Sequence, residues 1–181
     1  HTRDGKVQPI FFNSDHYIRF ENVVERSSLN KRGWVTQERL LSRRVLHFTV
    51  HGLILECSEG IFHEKHPDII ALQLEPTMEV IRSPLYDRNL DKSSWSNLIT
   101  SYSRTKFTDP GDRLIALSSL ARLHHQQRGE DDAYCAGIWA NGLLENLLWY
   151  CTDPPTPATT NRLRIAPTWS WASVVRGIQY W

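Results

Sequence analysis

The first regular pattern of hydrophobic and polar positions predicts a helix that opens after Gly33. Trp34, Glu38 and Leu41 are four and three residues apart, so they share one face of that helix. A carboxylate on the same face as two apolar side chains is expected to be partly desolvated, which suits it to stabilising or exchanging charge. The residues upstream of this helix show no clean period.

The pattern next predicts a β-hairpin. Residues 45–50 and 53–57 form two strand-like runs around His51-Gly52, where glycine permits the positive φ of a tight turn. Residues 59–94 follow with several prolines and no readable period, which predicts an irregular surface excursion. A helix, a short β-hairpin after it and further helices downstream predict an α/β or α+β fold that is rich in helix.

Three further helices are predicted downstream. The first has an apolar face at helical spacing, made of Trp95, Leu98, Ile99 and Tyr102. The second begins at Asp109-Pro110, an N-cap and a first-turn proline. Its apolar stripe comprises Leu114, Leu117, Leu120 and Ala121. The third covers residues 133–150 and is apolar nearly all round, so we expect it to be covered on most sides.

Composition narrows the class of protein and its partners. Seven tryptophans exclude disorder, because disordered chains lack aromatic side chains. The 21 Lys and Arg residues against 20 Asp and Glu leave a formal net charge of +1, which argues against a nucleic-acid partner. No apolar run is long enough for a membrane span, and three cysteines without a Cys-x-x-Cys pair are not a disulfide scaffold. We therefore expect a cytoplasmic protein without nucleic-acid or membrane partners.

The predicted first helix carries a cluster of arginines. Arg39 and Arg43 lie about one helical turn apart, and Arg32 and Arg44 flank the helix. With Trp34, such a cluster is suited to binding a phosphate or the acidic surface of a partner. The alternative is a basic face that is solvated or paired within the protein.

Histidines and a cysteine near the hairpin raise a metal site as an alternative. Zinc favours close pairs of such ligands, and the residues concerned are His47, His51, Cys57, His63 and His66. The run from His63 to His66 is one residue shorter than His-Glu-x-x-His, so its histidines would not share a helical face. We expect Cys57 to pack as a small apolar side chain and no metal to bind; a metal-stabilised binding domain stays the alternative.

Short segments spread over residues 29–175 resemble one protein family. They are Arg32-Gly33-Trp34 with Gln37-Glu38 and Leu41-Ser42, then Leu55-Glu56-Cys57, Asp112-Arg113-Leu114-Ile115-Ala116-Leu117, Ala136-Gly137-Ile138-Trp139, Leu147-Leu148-Trp149 and Ala166-Pro167-Thr168-Trp169-Ser170-Trp171-Ala172-Ser173. In this order they are similar to the later segments of the HET (heterokaryon incompatibility) domain of filamentous fungi. Thr168 stands where that family more often has serine. Two earlier blocks of the family have no counterpart here, so the resemblance implies the downstream part of a HET protein.

The resemblance implies an organisation and a function. Residues 1–58 would be the end of the HET core, residues 59–94 the irregular excursion, and residues 95–181 a helical HET-associated region with an aromatic C-terminal segment. The family implies a cytoplasmic signalling or effector module of non-self recognition and regulated cell death. Its partners would be other incompatibility or signalling proteins, or copies of itself. Because the sequence ends on aromatic residues, we expect it to be a piece of a longer protein.

A more remote resemblance concerns chemistry. HET domains are similar to TIR domains, α/β folds of which some cleave NAD at its nicotinamide bond with the glutamate of a Trp-Cys-x-x-Glu helix. Trp34 and Glu38 have that spacing, with Val35 in place of the cysteine. The resemblance makes Glu38 the candidate catalytic residue, NAD the candidate substrate and the chain an incomplete NAD glycohydrolase-like enzyme. Two alternatives stay open: Glu38 pairs with a nearby arginine, or residues 34–44 and the tryptophan-rich end form a non-enzymatic protein-interaction surface.

Overall fold

The first helix and the hairpin form as predicted. The computed structural model of the chain describes residues 20–57, 60–65, 92–128, 131–155 and 163–181. After a π-helical turn at Glu21–Glu25, helix α1 spans Gly33–Leu41. Strands β1 (Arg44–Thr49) and β2 (Gly52–Cys57) then pair antiparallel, with Thr49 opposite Gly52 and a φ of +121° at that glycine. The described residues combine helices with small antiparallel sheets, so the mixed α+β class is confirmed.

A third strand, β3 (Gly60–His63), extends the hairpin in the order β1-β2-β3. It corrects the prediction of an irregular excursion over residues 59–94; residues 59 and 66–91 of that segment lie outside the described residues. A strand of four residues is too short for its period to be seen in the sequence. On the inner face of the sheet, Ile54 and Ile61 pack in a small core together with two residues from before α1, Phe20 and Val24.

The larger core is built by helices α2 (Lys92–Tyr102), α3 (Asp112–Ile115) and α4 (Ser118–Arg128). The predicted face of α2 is confirmed, because all four of its members are at most 3% exposed. The second predicted helix divides into α3 and α4, and its apolar stripe packs into the core as predicted. Asp109 is not the N-cap: its carboxylate accepts the N–H of Gly111 at 2.8 Å and so shapes the turn that precedes α3.

The predicted helix over residues 133–150 is wrong. The segment forms strands β4 (Tyr134–Cys135) and β5 (Ile138–Trp139), the short helix α5 (Leu143–Leu147) and strand β6 (Trp149–Cys151). Positive φ angles at Ala136 (47°), Gly137 (91°) and Gly142 (81°) are incompatible with a continuous right-handed helix. Its leucines are not covered on most sides either, since Leu144 is 77% exposed.

The aromatic C-terminal segment closes the larger core. It contains a 3-10 turn at Trp171–Ser173 and strand β7 (Ile178–Tyr180), which pairs antiparallel with β6. Trp95 and Trp171 are at most 1% exposed, and both donate their indole N–H to the carbonyl oxygen of Gly137, each at 3.1 Å. Helix α2, the β4–β5 turn and the C-terminal segment therefore meet at one backbone acceptor.

Replacing Gly137 by alanine should destabilise the protein by about 2 kcal/mol or more. An added Cβ would lie 2.6 Å from the Trp171 indole nitrogen, and the φ of +91° is unfavourable for any residue with a side chain. The measurement is the free energy of unfolding from urea titration. Gly111→Ala is the control for backbone conformation: Gly111 has a φ of −61°, and its added Cβ would lie 3.1 Å from an end atom of the exposed Asp109 side chain, so stability should change by no more than about 1 kcal/mol. Equal effects of the two substitutions would contradict the prediction.

Stability should fall steeply in alkaline solution. Burial raises the pKa of Tyr102, Tyr134 and Tyr180 in the folded protein, whereas an unfolded chain releases these protons near pH 10. The stabilising contribution of each neutral tyrosine is therefore complete below about pH 10 and is lost as the pH rises above it, at about 1.4 kcal/mol per pH unit and tyrosine. Urea titrations from about pH 8 to about pH 11 measure this slope. Tyr180→Phe should reduce it by about a third, and an unchanged slope in that variant would exclude Tyr180 as a source.

Candidate functional site

The candidate catalytic residue lies in a cleft beside the first helix. The cleft has a volume of about 490 Å³ and lies between the π-helical turn, α1 and β1. Its charged lining residues and histidine are Glu38, Arg39, Arg44 and His47, and apolar side chains from α1 and β1 complete the walls. Small-molecule sites in proteins measure about 300–1,000 Å³, so the cleft is large enough for a ligand.

A buried ionic network lies beneath this cleft. Arg39 on α1 donates to Glu56 on β2 through both Nε (2.8 Å to Oε2) and Nη2 (3.0 Å to Oε1). His47 on β1 lies with Nε2 2.8 Å from the same Oε2. The side chains of Arg39 and Glu56 are each 5% exposed and that of His47 is 12% exposed. Because Glu56 and His47 both point to the inner face of the sheet, the network ties α1 to the hairpin.

Phe20 covers the network from the side of the π-helical turn. The guanidinium carbon of Arg39 lies 5.3 Å from the centre of the Phe20 ring, and the His47 ring meets it edge-on with centroids 5.8 Å apart. These contacts restrict water access to the bidentate pair and hold the imidazole at the wall of the cleft. In the sequence, Glu56 belongs to a segment that resembles the HET family, and that resemblance gives it no role at a site. Its alternation with buried Ile54 was the signal that it points inward.

Glu38 has a different environment from the one predicted. Trp34 and Leu41, which share its face, are 36% and 40% exposed, and Glu38 is itself exposed at the cleft. The buried face of α1 instead contains Gly33, Arg39 and Leu40. The expected desolvation of Glu38 is therefore wrong. The alternative that Glu38 pairs with an arginine is not observed among the described residues either.

Two contacts explain why α1 buries Gly33, Arg39 and Leu40 and not the face that the sequence predicts. Gly33 packs against the Phe107 ring, and a Cβ there would lie 1.8 Å from a ring carbon. Arg39 is satisfied by the carboxylate of Glu56, which removes most of the cost of burying its charge. Neither partner is visible in the periodicity of the helix itself.

The predicted arginine cluster is divided by the fold. Arg39 is 5% exposed and internally paired, so it is not part of a surface for binding partners. Arg32, Arg43 and Arg44 remain exposed at the two ends of α1. Trp34 donates its indole N–H to the Asp112 carboxylate at 3.1 Å, which connects α1 to α3.

The candidate metal ligands do not assemble in the part of the chain that the structure describes. His47 contacts Glu56, while His63 Nε2 lies 3.2 Å from the carbonyl oxygen of His51. No group of three His, Cys, Asp or Glu side chains suited to a metal ion occurs among the described residues. Cys57 is half-buried, and His66 lies outside the described residues.

Three of the family-like segments converge around Arg113, which is 2% exposed. Its Nη1 donates to the carbonyl oxygen of Val174, and its guanidinium carbon lies 5.2 Å from the centre of the Trp171 ring. Trp171 donates to Gly137, and Ser170 Oγ donates to the carbonyl oxygen of Ala136 at 2.6 Å. The Asp-Arg, Ala-Gly-Ile-Trp and Trp-Ser-Trp-Ala-Ser segments are thus joined by direct contacts.

Comparison with known proteins adds nothing to this geometry: no protein-family model, curated protein or solved structure matches the chain. Within the described residues, no helix is both long and apolar enough to cross a membrane.

Removing the charge of Glu56 should be among the most damaging single changes in the protein. Glu56→Gln leaves the guanidinium of Arg39 buried without its counter-charge, which should lower the free energy of unfolding by about 3–5 kcal/mol. The measurement is urea unfolding. Glu64→Gln, at an exposed glutamate just after β3, is the control and should cost less than about 0.5 kcal/mol.

A double variant separates the buried pair from general disruption. Replacing Arg39 by Met and Glu56 by Leu together removes both charges, so it should recover a large part of the stability lost in Glu56→Gln. Arg39→Met and Glu56→Leu are measured alone as well; if their destabilisations sum to that of the double variant, the two side chains do not act as a pair.

Proposed function

We propose that this chain is the downstream part of a HET-domain protein and acts as an intracellular signalling and effector module in fungal non-self recognition and regulated cell death. The observation that supports this proposal is the direct contact between the segments that resemble the HET family. Those segments are far apart in the sequence, yet they hold one another in place.

The contacts restrict which residue types fit at particular positions of these segments. Gly33 and Gly137 each lie where a Cβ would collide with an aromatic ring. Arg113 fills a position between the Trp171 ring and two backbone carbonyl oxygens. A resemblance at positions whose residue type is dictated by packing supports a shared architecture more strongly than one at exposed positions, where most residues are tolerated. The complete domain would have a TIR-like fold.

The proposed chemistry is cleavage of the nicotinamide bond of NAD, with Glu38 as the carboxylate. Its side chain is exposed at the cleft and makes no ion pair with a described residue, so it is available to a ligand. In glycoside hydrolysis a carboxylate at the reacting sugar stabilises an oxocarbenium-like transition state. Glu38 would play that part for the ribose, while Arg44 and His47 of the same cleft would contact the phosphates. The upstream part of the domain would complete the site.

A second candidate function is non-enzymatic docking to other incompatibility or signalling proteins, or to a second copy. The exposed tryptophans favour it: Trp34 is 36% exposed, Trp169 42% and Trp181 90%. Tryptophan and arginine dominate the binding energy of many protein interfaces, and Arg43 is exposed at the end of α1. In this function Glu38 would be a surface residue without a special role.

The test of the proposed chemistry is Glu38→Gln in the full-length protein, expressed in a fungal host. The substitution keeps the size of the side chain and removes its charge, so NAD loss and cell death should fall at least about 100-fold while the protein still accumulates. Cellular NAD and survival are measured together. Glu145→Gln, an exposed glutamate on α5 and remote in sequence from the cleft, is the matched control.

The two candidate functions give different results in this test. If NAD consumption in Glu38→Gln equals that of the unmodified protein, the catalytic role is wrong. If cell death survives Glu38→Gln but is lost on charge reversal of Arg43 to Glu, docking is the better account. If neither substitution changes cell death, both assignments to α1 are wrong.

A further inference from the structure

A second cavity, which shares no lining residue with the cleft at Glu38 and is not used by the proposed function, lies beside the end of α2. It has a volume of about 500 Å³ and is formed by residues 103–107, which follow α2, and residues 175–177, which precede β7. Pro110, Arg113 and Asp153 complete its lining. Nothing in the family-like segments other than Arg113 contributes to it.

The charge of this cavity is unlike that of the whole chain. Its described lining contains four cationic side chains, Arg104, Lys106, Arg113 and Arg176, against one carboxylate, Asp153. None of the four cations forms an ion pair with a described residue. A chain with a net charge of +1 thus concentrates unpaired positive charge at one concave place. Concave walls of one charge sign focus the electrostatic field on a ligand.

Two of the guanidinium groups also have unsatisfied hydrogen-bond donors. The Nε atoms of Arg113 and Arg176 are buried, and no hydrogen-bond acceptor contacts them among the described residues. The Nη2 of Arg113 reaches the carbonyl oxygen of Ser103 only at 3.4 Å, which is a weak bond. Burial lowers the pKa of Arg113, because the charged form loses hydration. An anion in the cavity would restore part of that lost stabilisation.

The loop that forms one wall is held by hydrogen bonds on both sides of Gly177. Asp153 accepts the backbone N–H of Gly177 at 2.9 Å, so one of its oxygens is committed to the loop. Thr152 donates to the carbonyl oxygen of the same glycine at 2.9 Å through its own N–H. A Cβ on Gly177 would lie 2.8 Å from Asp153 Oδ2 and 3.1 Å from Arg104 Cγ, so the wall has no spare room. A preformed wall reduces the ordering cost of binding.

We propose that this cavity binds a small phosphate ester of about the size of a nucleotide. Several guanidinium groups around one space suit a phosphate, which accepts paired N–H donors from arginine. Phe107, Pro110 and Val175 supply the apolar part of the wall, against which the organic group of the ester would pack. The volume lies within the range of small-ligand sites.

Isothermal titration of the full 181-residue chain with ADP, adenosine and orthophosphate tests this proposal. ADP should bind at least about tenfold more tightly than adenosine, because only ADP carries the anion. It should also bind more tightly than orthophosphate, and added salt should weaken it. ADP has no nicotinamide bond, so the measurement is independent of the NAD cleavage proposed above.

Three charge-removing variants locate the site. Arg104→Gln and Lys106→Gln replace exposed side chains at the cavity, and each should weaken ADP binding about fivefold or more. Arg122→Gln, an exposed arginine on α4 that does not line the cavity, is the control and should leave the affinity unchanged. Circular dichroism and the unfolding midpoint establish that each variant is folded.

Several results would overturn the proposal. Equal affinities for ADP and adenosine would show that the anion is not recognised. Equal affinities for ADP and orthophosphate would show that the organic group does not contribute to binding. A loss in Arg122→Gln as large as that in the cavity variants would assign the binding to general charge. Absence of ADP binding at millimolar concentrations would exclude the site altogether.

Discussion

The larger core depends on one backbone acceptor, the carbonyl oxygen of Gly137. A buried indole N–H without a partner costs about 1–3 kcal/mol, so Trp95 and Trp171 both need this oxygen, and its two lone pairs serve both. The shared acceptor fixes the C-terminal segment against α2 and the β4–β5 turn. Once Trp171 is in place, Arg113 lies over its ring and reaches the carbonyl oxygen of Val174, just before β7. The two tryptophans therefore help to position Arg113, one of the four cations of the second cavity.

A second constraint, the pair of Arg39 and Glu56, decides what α1 presents to solvent. Consecutive residues on a helix point about 100° apart. Because Arg39 is drawn inward to its carboxylate and Leu40 packs in the core, the preceding Glu38 is turned out to the rim of the cleft. The exposure of the candidate catalytic residue is thus not a local property of its sequence. It follows from an ion pair between residues 17 positions apart.

The parts of the fold that could be predicted are those whose signal is local. The face of α2 and the hairpin around Gly52 follow from periods of 3.6 and 2 residues and from one glycine. The prediction of a helix over residues 133–150 was wrong because that run is apolar on all sides. Such a run shows no period of polar and apolar positions, so its sequence does not distinguish a buried helix from short strands joined by turns. The glycine at position 137 was the sequence feature that indicated an interruption of the helix. The burial of Arg39 could not be predicted, because periodicity does not reveal which of several carboxylates a basic side chain will meet.

The net charge of the chain does not predict the charge of an individual cavity. A formal net charge of +1 is a sound argument against a long polyanion, which needs an extended basic face. It says nothing about a cavity of about 500 Å³, whose potential depends on the few groups that line it. The cations of that cavity come from residues 104 to 176 and meet only because β7 returns to pack on α2. Two of these cations, Arg113 and Arg176, have a buried Nε donor with no acceptor among the described residues. The contacts around Gly137 stabilise the fold enough to tolerate this cost, and the same burial is what would favour an anion in the cavity.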